Sequence, residues 1–266
     1  MTYFLEMPII WSLPLFLIVA LLSSILIYLI SNRAVKSKLG KSHERTGRVL
    51  FRTTASLLAL LLSFTFANQR VNYYKIKDSL EAEAAQLLDI MVDLQMFHTP
   101  EATDIQEKVR HYMRSIIHED FKTENDNPLL TQSVYIFISL YNNISKMEVT
   151  DERQARLKEN ILTDIDLVSD FMQIRSYRST PEPLYFIFIA GFGFFVSAIL
   201  FGVYKPDVVS IVFFSFYNAF VAIVLYFIIM MNNPMIGPLK IDNKPINMVI
   251  EIADLPPPPP LDNLVL

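Results

Sequence analysis

Cysteine is absent from this chain. That excludes disulfides and thiolate metal centres. Glycine is scarce, with six residues in 266, and no Gly-rich phosphate loop, nucleophile elbow or His-Glu-x-x-His pattern occurs. Enzymatic chemistry is therefore not expected, and no cofactor is implied. The formal charge of −4 is too mild and of the wrong sign to suggest nucleic acid. Between Gly47 and Pro100 there is neither glycine nor proline. No Lys or Arg precedes the first apolar run, whose core is too long for a signal-peptide h-region, so it reads as a retained span.

The remainder is strongly apolar: 52% of residues are hydrophobic, concentrated in four runs. These are Ile9 to Ser31, Val49 to Ala67, Leu184 to Tyr204 and Val208 to Met231. Each has roughly the 20 residues that cross a ~30 Å hydrocarbon core as a helix. Trp11 sits where an interfacial aromatic is expected. No Asp, Glu or Lys lies deep in any run, which argues against a proton relay or ion-coupled transporter. The expected class is all-α: a four-span membrane protein with an extramembrane helical domain between spans 2 and 3. Its expected parts are a first pair of spans (1–69), an acidic helical domain (70–183), a second pair (184–231) and a Pro-rich tail (232–266).

The second span runs into charged sequence with nothing to stop it. A helix over the roughly 52 residues after Gly47 would reach about 78 Å, of which only ~30 Å fits in lipid. The span is thus expected to continue as a stalk, its apolar stripe Leu80, Ala84, Leu87, Leu88, Met91 and Leu94 facing neighbouring helices. Thr99-Pro100-Glu101 should end one helix and cap the next. A helix to about Phe121, a loop at TENDNP, a helix to about Met147 and another from about Thr150 complete the domain. From Arg70 to Glu182 it holds 13 basic and 20 acidic residues, a net of −7. Within it Glu107, His111, His118, Glu119 and Asp120 share a stretch, but their spacing is not that of a helical metal site; a solvated face is expected, and no metal. After the fourth span, NNPMIGP forbids regular helix. Pro256 to Pro260 form a short polyproline rod, either a spacer or a docking ligand.

On the second span, Thr53, Ser56, Leu60, Ser63, Ala67 and Arg70 follow steps of three and four. They form one small, partly polar face that ends in a cation. Such a face suits a close helix–helix seam or a pore lining in which Leu60 forms an apolar constriction. Both uses coexist if the seam surrounds an oligomer axis. In the third span, Gly193 with Ser197 and Ala198 with Gly202 have small-xxx-small spacing for close packing. In the fourth, Ser215, Asn218 and Ala222 share a face, and the Asn218 amide needs a partner, an interhelical one by preference. Arg33, Lys36, Lys38, Lys41, Arg45, Arg48 and Arg52 crowd the first connection against the single acid Glu44. They serve as a topology determinant beside anionic lipid headgroups or as an electropositive vestibule.

Four motifs resemble those of the bestrophin-like family of four-span membrane proteins. They are His43-Glu44-Arg45-Thr46-Gly47, Leu60-Leu61-Leu62-Ser63-Phe64, Glu83-Ala84 with Leu87-Leu88, and Asn233-Pro234-Met235-Ile236-Gly237. Asn68-Gln69-Arg70 and Tyr185 stand where many relatives carry Trp. The resemblance implies a pore-lining second helix with Phe64 and Phe66 as alternative constriction residues, helices outside the bilayer, a pentamer and a distant relation to anion channels. Its implied partners are membrane lipid, further copies of the chain and inorganic anions. It also implies termini and helical domain in the cytoplasm of a cell with this protein in its plasma (inner) membrane. The basic first connection pulls towards the opposite orientation. The rival reading is a non-conducting structural or interaction protein whose helical domain and Pro-rich tail bind partners.

Overall fold

Where the sequence withholds glycine and proline, the chain stays helical. The computed structural model describes residues 7–36, 41–120, 132–176, 181–232, 234 and 237–254, and every regular element among them is a helix. In order they are α1 (Ile9–Lys36), α2 (Lys41–Phe97), α3 (Pro100–Ser115) extended by a π-helical turn (Ile116–Asp120), α4 (Gln132–Lys146), α5 (Glu152–Ser176), α6 (Pro181–Phe201), α7 (Val208–Met231) and α8 (Lys244–Ala253). The 57 residues of α2 make about 86 Å of unbroken helix. It begins six residues ahead of Gly47, because a glycine inside a helix weakens it without stopping it. The TENDNP loop and the polyproline run lie outside the described residues.

Two compact units divide the chain, Met1–Tyr74 with Ser179–Lys240, and Lys75–Arg178 with Ile241–Leu266. In the first, α1 packs along α6 and α7, and α6 pairs with α7. One apolar cluster joins Leu58 and Leu62 of α2 to Ala190 and Phe194 of α6 and Val221, Leu225 and Ile228 of α7. A second gathers Tyr28, Ala198, Phe201 and Phe214, with the Phe201 and Phe214 rings stacked at 4.5 Å and Tyr28 edge-on to Phe201 at 5.0 Å. Ser12 and Tyr226 share a hydrogen bond of 2.6 Å. α1, α2 and α7 are long and apolar enough to cross a membrane, whereas the apolar stretch of α6, Ile187–Phe201, is shorter. The third run was expected to extend to Tyr204. It ends instead at Phe201, because Pro206 keeps Lys205 out of the helical region and α1 side chains take the last carbonyls.

In the second unit, Leu80, Ala84, Leu87, Met91 and Leu94 of the expected stalk stripe are buried, together with Ile76 and Ile90, while Leu88 of that stripe is half-buried. Thr99 caps α3, its Oγ1 accepting from the Ala102 N–H at 3.2 Å. Gln106 of α3 donates to the Met91 carbonyl at 3.0 Å, and Ser79 of α2 to that of Phe171 at 3.2 Å. α3 packs on α4, and α4 on α5. The acid expected in the stalk motif, Glu83, is fully buried and accepts from the Tyr112 hydroxyl at 2.8 Å. α8 is an element that the sequence reading omitted. It buries Ile246 and Val249, and Arg110 of α3 donates to its terminal Ala253 carbonyl at 2.9 Å.

Candidate functional site

The exposed faces of the helices in the first unit differ in chemistry. On α1 the outward residues are Ile10, Trp11, Leu15, Ile18, Val19, Leu22, Leu26 and Leu29, on α6 Tyr185, Phe188, Ile189, Phe192, Phe195 and Ile199, and on α7 Val208, Val209, Val212, Phe213, Phe216 and Phe220. These are large and apolar, as contact with hydrocarbon requires. The exposed face of α2 alternates instead. Thr53, Ser56, Ser63, Ala67, Asn68 and Arg70 are exposed beside Leu60 at 54% and Phe64 at 64%.

The face of α2 that packs within the chain is the opposite one. Leu58, Leu62, Thr65 and Gln69 are buried there, while Leu61 and Phe66 lie partly buried against the same cluster. The seven candidate residues Thr53, Ser56, Leu60, Ser63, Phe64, Ala67 and Arg70 therefore share one face, and that face is not the seam inside this chain. Thr53 and Ser63 donate to the carbonyls of Val49 and Ala59 at 3.1 and 2.8 Å. Such back-bonding satisfies the donors of these two hydroxyls. Arg70 lies over the Tyr74 ring, 5.6 Å from its centroid.

The small-residue motifs of α6 lie against other helices. A Cβ on Gly193 would meet the Leu58 side chain of α2 at 3.0 Å, and one on Gly202 would meet Ser31 Oγ of α1 at 2.3 Å. Ala198 is buried among Tyr28, Phe201 and Phe214. Ser197 is buried and donates to its own Phe194 carbonyl at 2.7 Å. Ser215 is half-buried. Asn218 departs from the expected interhelical bond: its amide donates to the Phe214 carbonyl of its own helix at 2.8 Å, and Oδ1 has no hydrogen-bond partner among the described residues.

The family-motif positions divide by role. A Cβ on Gly47 would come within 2.5 Å of Val203, so the absent side chain permits this approach. Gly237 has φ of 96°, a region open to glycine, and Pro234 is buried. The side chain of His43 and all of Asn233 lie outside the described residues.

Sequence reasoning missed Tyr28, Ser31 and Asn32 at the end of α1. Ser31 donates to the Ile199 carbonyl at 2.7 Å. Asn32 Nδ2 donates to those of Gly202 and Tyr204, each at 2.7 Å, and the Tyr28 hydroxyl reaches the latter at 3.2 Å. Beside them Arg48 pairs with Glu44 and lies 5.2 Å over the Tyr204 ring. Asp207 caps α7, accepting from the Ser210 N–H at 2.7 Å; that backbone bond holds its pKa below the ordinary carboxylate value.

In the second unit, burial raises the pKa of Asp93 and of Asp164. Asp89 adds repulsion to both, and a hydrogen bond to Asn160 partly offsets the rise at Asp93. Among the described residues no three His, Cys, Asp or Glu side chains are grouped to hold a metal. His111 and His118 are exposed, and Glu107 pairs with Arg110 and Arg114.

Comparison with known proteins agrees with this architecture. Two point variants of a bacterial bestrophin homologue from Klebsiella pneumoniae superpose with TM-scores of 0.70 and 0.68, each at 12% identity; each match covers 89% of this chain, and 98% and 97% of theirs. A structure described as a membrane protein with a glycine-to-alanine change superposes with a TM-score of 0.64 at 13% identity over 91% of this chain and 99% of its own. No curated protein matches significantly. The sequence itself matches the family described as Bestrophin-like domain over residues 17–246. This all-helical integral membrane protein therefore belongs to the bestrophin-like family.

Proposed function

We propose that the chain is one subunit of a homo-oligomeric anion channel in the plasma (inner) membrane, a pentamer by analogy with bestrophin channels. In this reading α2 lines a central pore, four spans cross the bilayer and the helical unit lies in the cytoplasm. One observation carries it. Among the described residues, α2 leaves a row of small and hydroxyl-bearing side chains, Thr53, Ser56, Ser63 and Ala67, uncovered along its apolar run, where the exposed positions of α1, α6 and α7 are mainly large and apolar. Lipid offers such a face nothing, whereas neighbouring copies around a path use both its closeness and its polarity. Leu60 and Phe64 interrupt the hydroxyls and act as the constriction that bars ions by dewetting.

Chloride efflux from liposomes containing the full chain tests this. Leu60→Ser replaces an apolar ring with hydroxyls and should raise the efflux about tenfold or more. Leu22→Ser, on the exposed apolar face of α1, should leave it unchanged. Equal flux from both variants, or none from either in a correctly assembled protein, would refute the pore assignment and favour a non-conducting interaction protein.

A further inference from the structure

We infer that Arg52 and Arg70 are the residues that fix the charge selectivity of this path, with Arg45 reinforcing Arg52. The inference rests on the channel reading above. Arg45, Arg52, Ser56, Ser63 and Arg70 succeed one another by seven or four residues. At 100° per residue a seven-residue step drifts by only about 20°, so all five fall within a sector of roughly 40° on α2. All five are exposed. Arg52 and Arg70 stand 18 residues apart, about 27 Å along the helix axis, close to the ~30 Å of a hydrocarbon core. No charged residue lies between them. One guanidinium thus stands at each end of the membrane-buried row, with the Ser56 and Ser63 hydroxyls between.

Among the described residues Arg45, Arg52 and Arg70 have no carboxylate within ion-pair distance, whereas Arg48, off the row, is paired with Glu44. Arg70 is held by its contact with Tyr74, a neutral partner that leaves its charge in force. Repeated around an axis, unpaired guanidinium groups at both mouths concentrate anions and repel cations. Arginine at these depths could otherwise serve only to reach lipid headgroups, and the two roles separate in a measurement of ion preference.

The test is the reversal potential of the reconstituted full-length protein under a potassium chloride gradient. Arg52→Glu and Arg70→Glu should each lower the chloride-to-potassium permeability ratio by about fivefold or more. Arg52→Gln and Arg70→Gln should lower it less, and they keep the question open to measurement if charge reversal blocks assembly. Arg153→Gln, exposed on α5 and outside the basic first connection, should leave the ratio unchanged. Conductance with an unaltered ratio in the Arg52 and Arg70 variants would overturn this assignment and leave the channel standing. A wild-type protein that passes potassium in preference would overturn it too, and would direct attention to the exposed carboxylates Asp78, Glu81 and Asp89 of the same helix. A wild-type protein that passes no ion would overturn both readings.

Discussion

Asn32 commits its amide nitrogen to two carbonyls of the chain segment that ends α6. An unpaired carbonyl in an apolar surrounding costs roughly 1–3 kcal/mol, so this one side chain offsets a large local cost. Its role was illegible in the sequence, since nothing local marks an Asn whose partners lie 170 residues away. Gly202 was easier, because its small-xxx-small spacing from Ala198 in an apolar run suggests close approach. The carboxylates of the second unit obey different physics. Asp164 and Asp93 are raised in the folded state by burial and by mutual repulsion with Asp89. A raised folded-state pKa means that native structure binds the proton more tightly than the unfolded chain, so stability falls as pH rises through the folded value. Asp164→Asn should therefore raise the melting temperature at pH 7 by about 1–3 °C. That gain should shrink as the pH is lowered through the upper carboxylate range. A thermal scan of both proteins at pH 7 and pH 4.5 checks it; a gain that persists unchanged at the lower pH would remove the electrostatic account.

At the scale of elements, α2 is the member on which the others depend. Its length follows from the missing breakers, and its end from His98, which takes φ of 53° just before the Thr99 cap. Leu80→Pro would remove one backbone donor and clash with the preceding turn, at a cost of about 3 kcal/mol or more. The variant should unfold at a clearly lower temperature, or fail to assemble, in detergent extracts monitored by fluorescence-detected chromatography; unchanged thermal stability would contradict the continuous helix. Elements with a strong apolar period and a clear stop were legible: the stalk, α3 with its Thr99 cap, and the break between α4 and α5. Two were not. The π-helical turn Ile116–Asp120 has no local signature. α8 stood behind a proline- and glycine-rich stretch that reads as the end of structure, yet Pro245 in its first turn and the three-residue spacing of buried Ile246 and Val249 were available signals. On the pore face the sequence supplied the stripe, but it did not tell which side of α2 the rest of the chain would cover. That depended on α6 and α7 bringing Gly193, Phe194 and Val221 to Leu58 and Leu62.

For the whole molecule, orientation is where two physical arguments oppose one another. The basic first connection favours the cytoplasm for itself, and the resemblance favours it for the helical unit. Because the chain contains no cysteine, Glu148→Cys, at an exposed position after α4, would carry its sole thiol. We expect an impermeant maleimide to label it only after cells are opened; labelling in intact spheroplasts would reverse the orientation. The bonds from Ser31 and Asn32 to the end of α6 also set a timetable for biogenesis. At roughly 5–20 residues per second, some ten to thirty seconds separate the synthesis of Asn32 from that of its carbonyl partners. Through that interval the two polar side chains at the end of α1 are without their eventual acceptors. α1 must therefore wait beside the translocon, or at the wet edge of the bilayer, until α6 arrives to complete it.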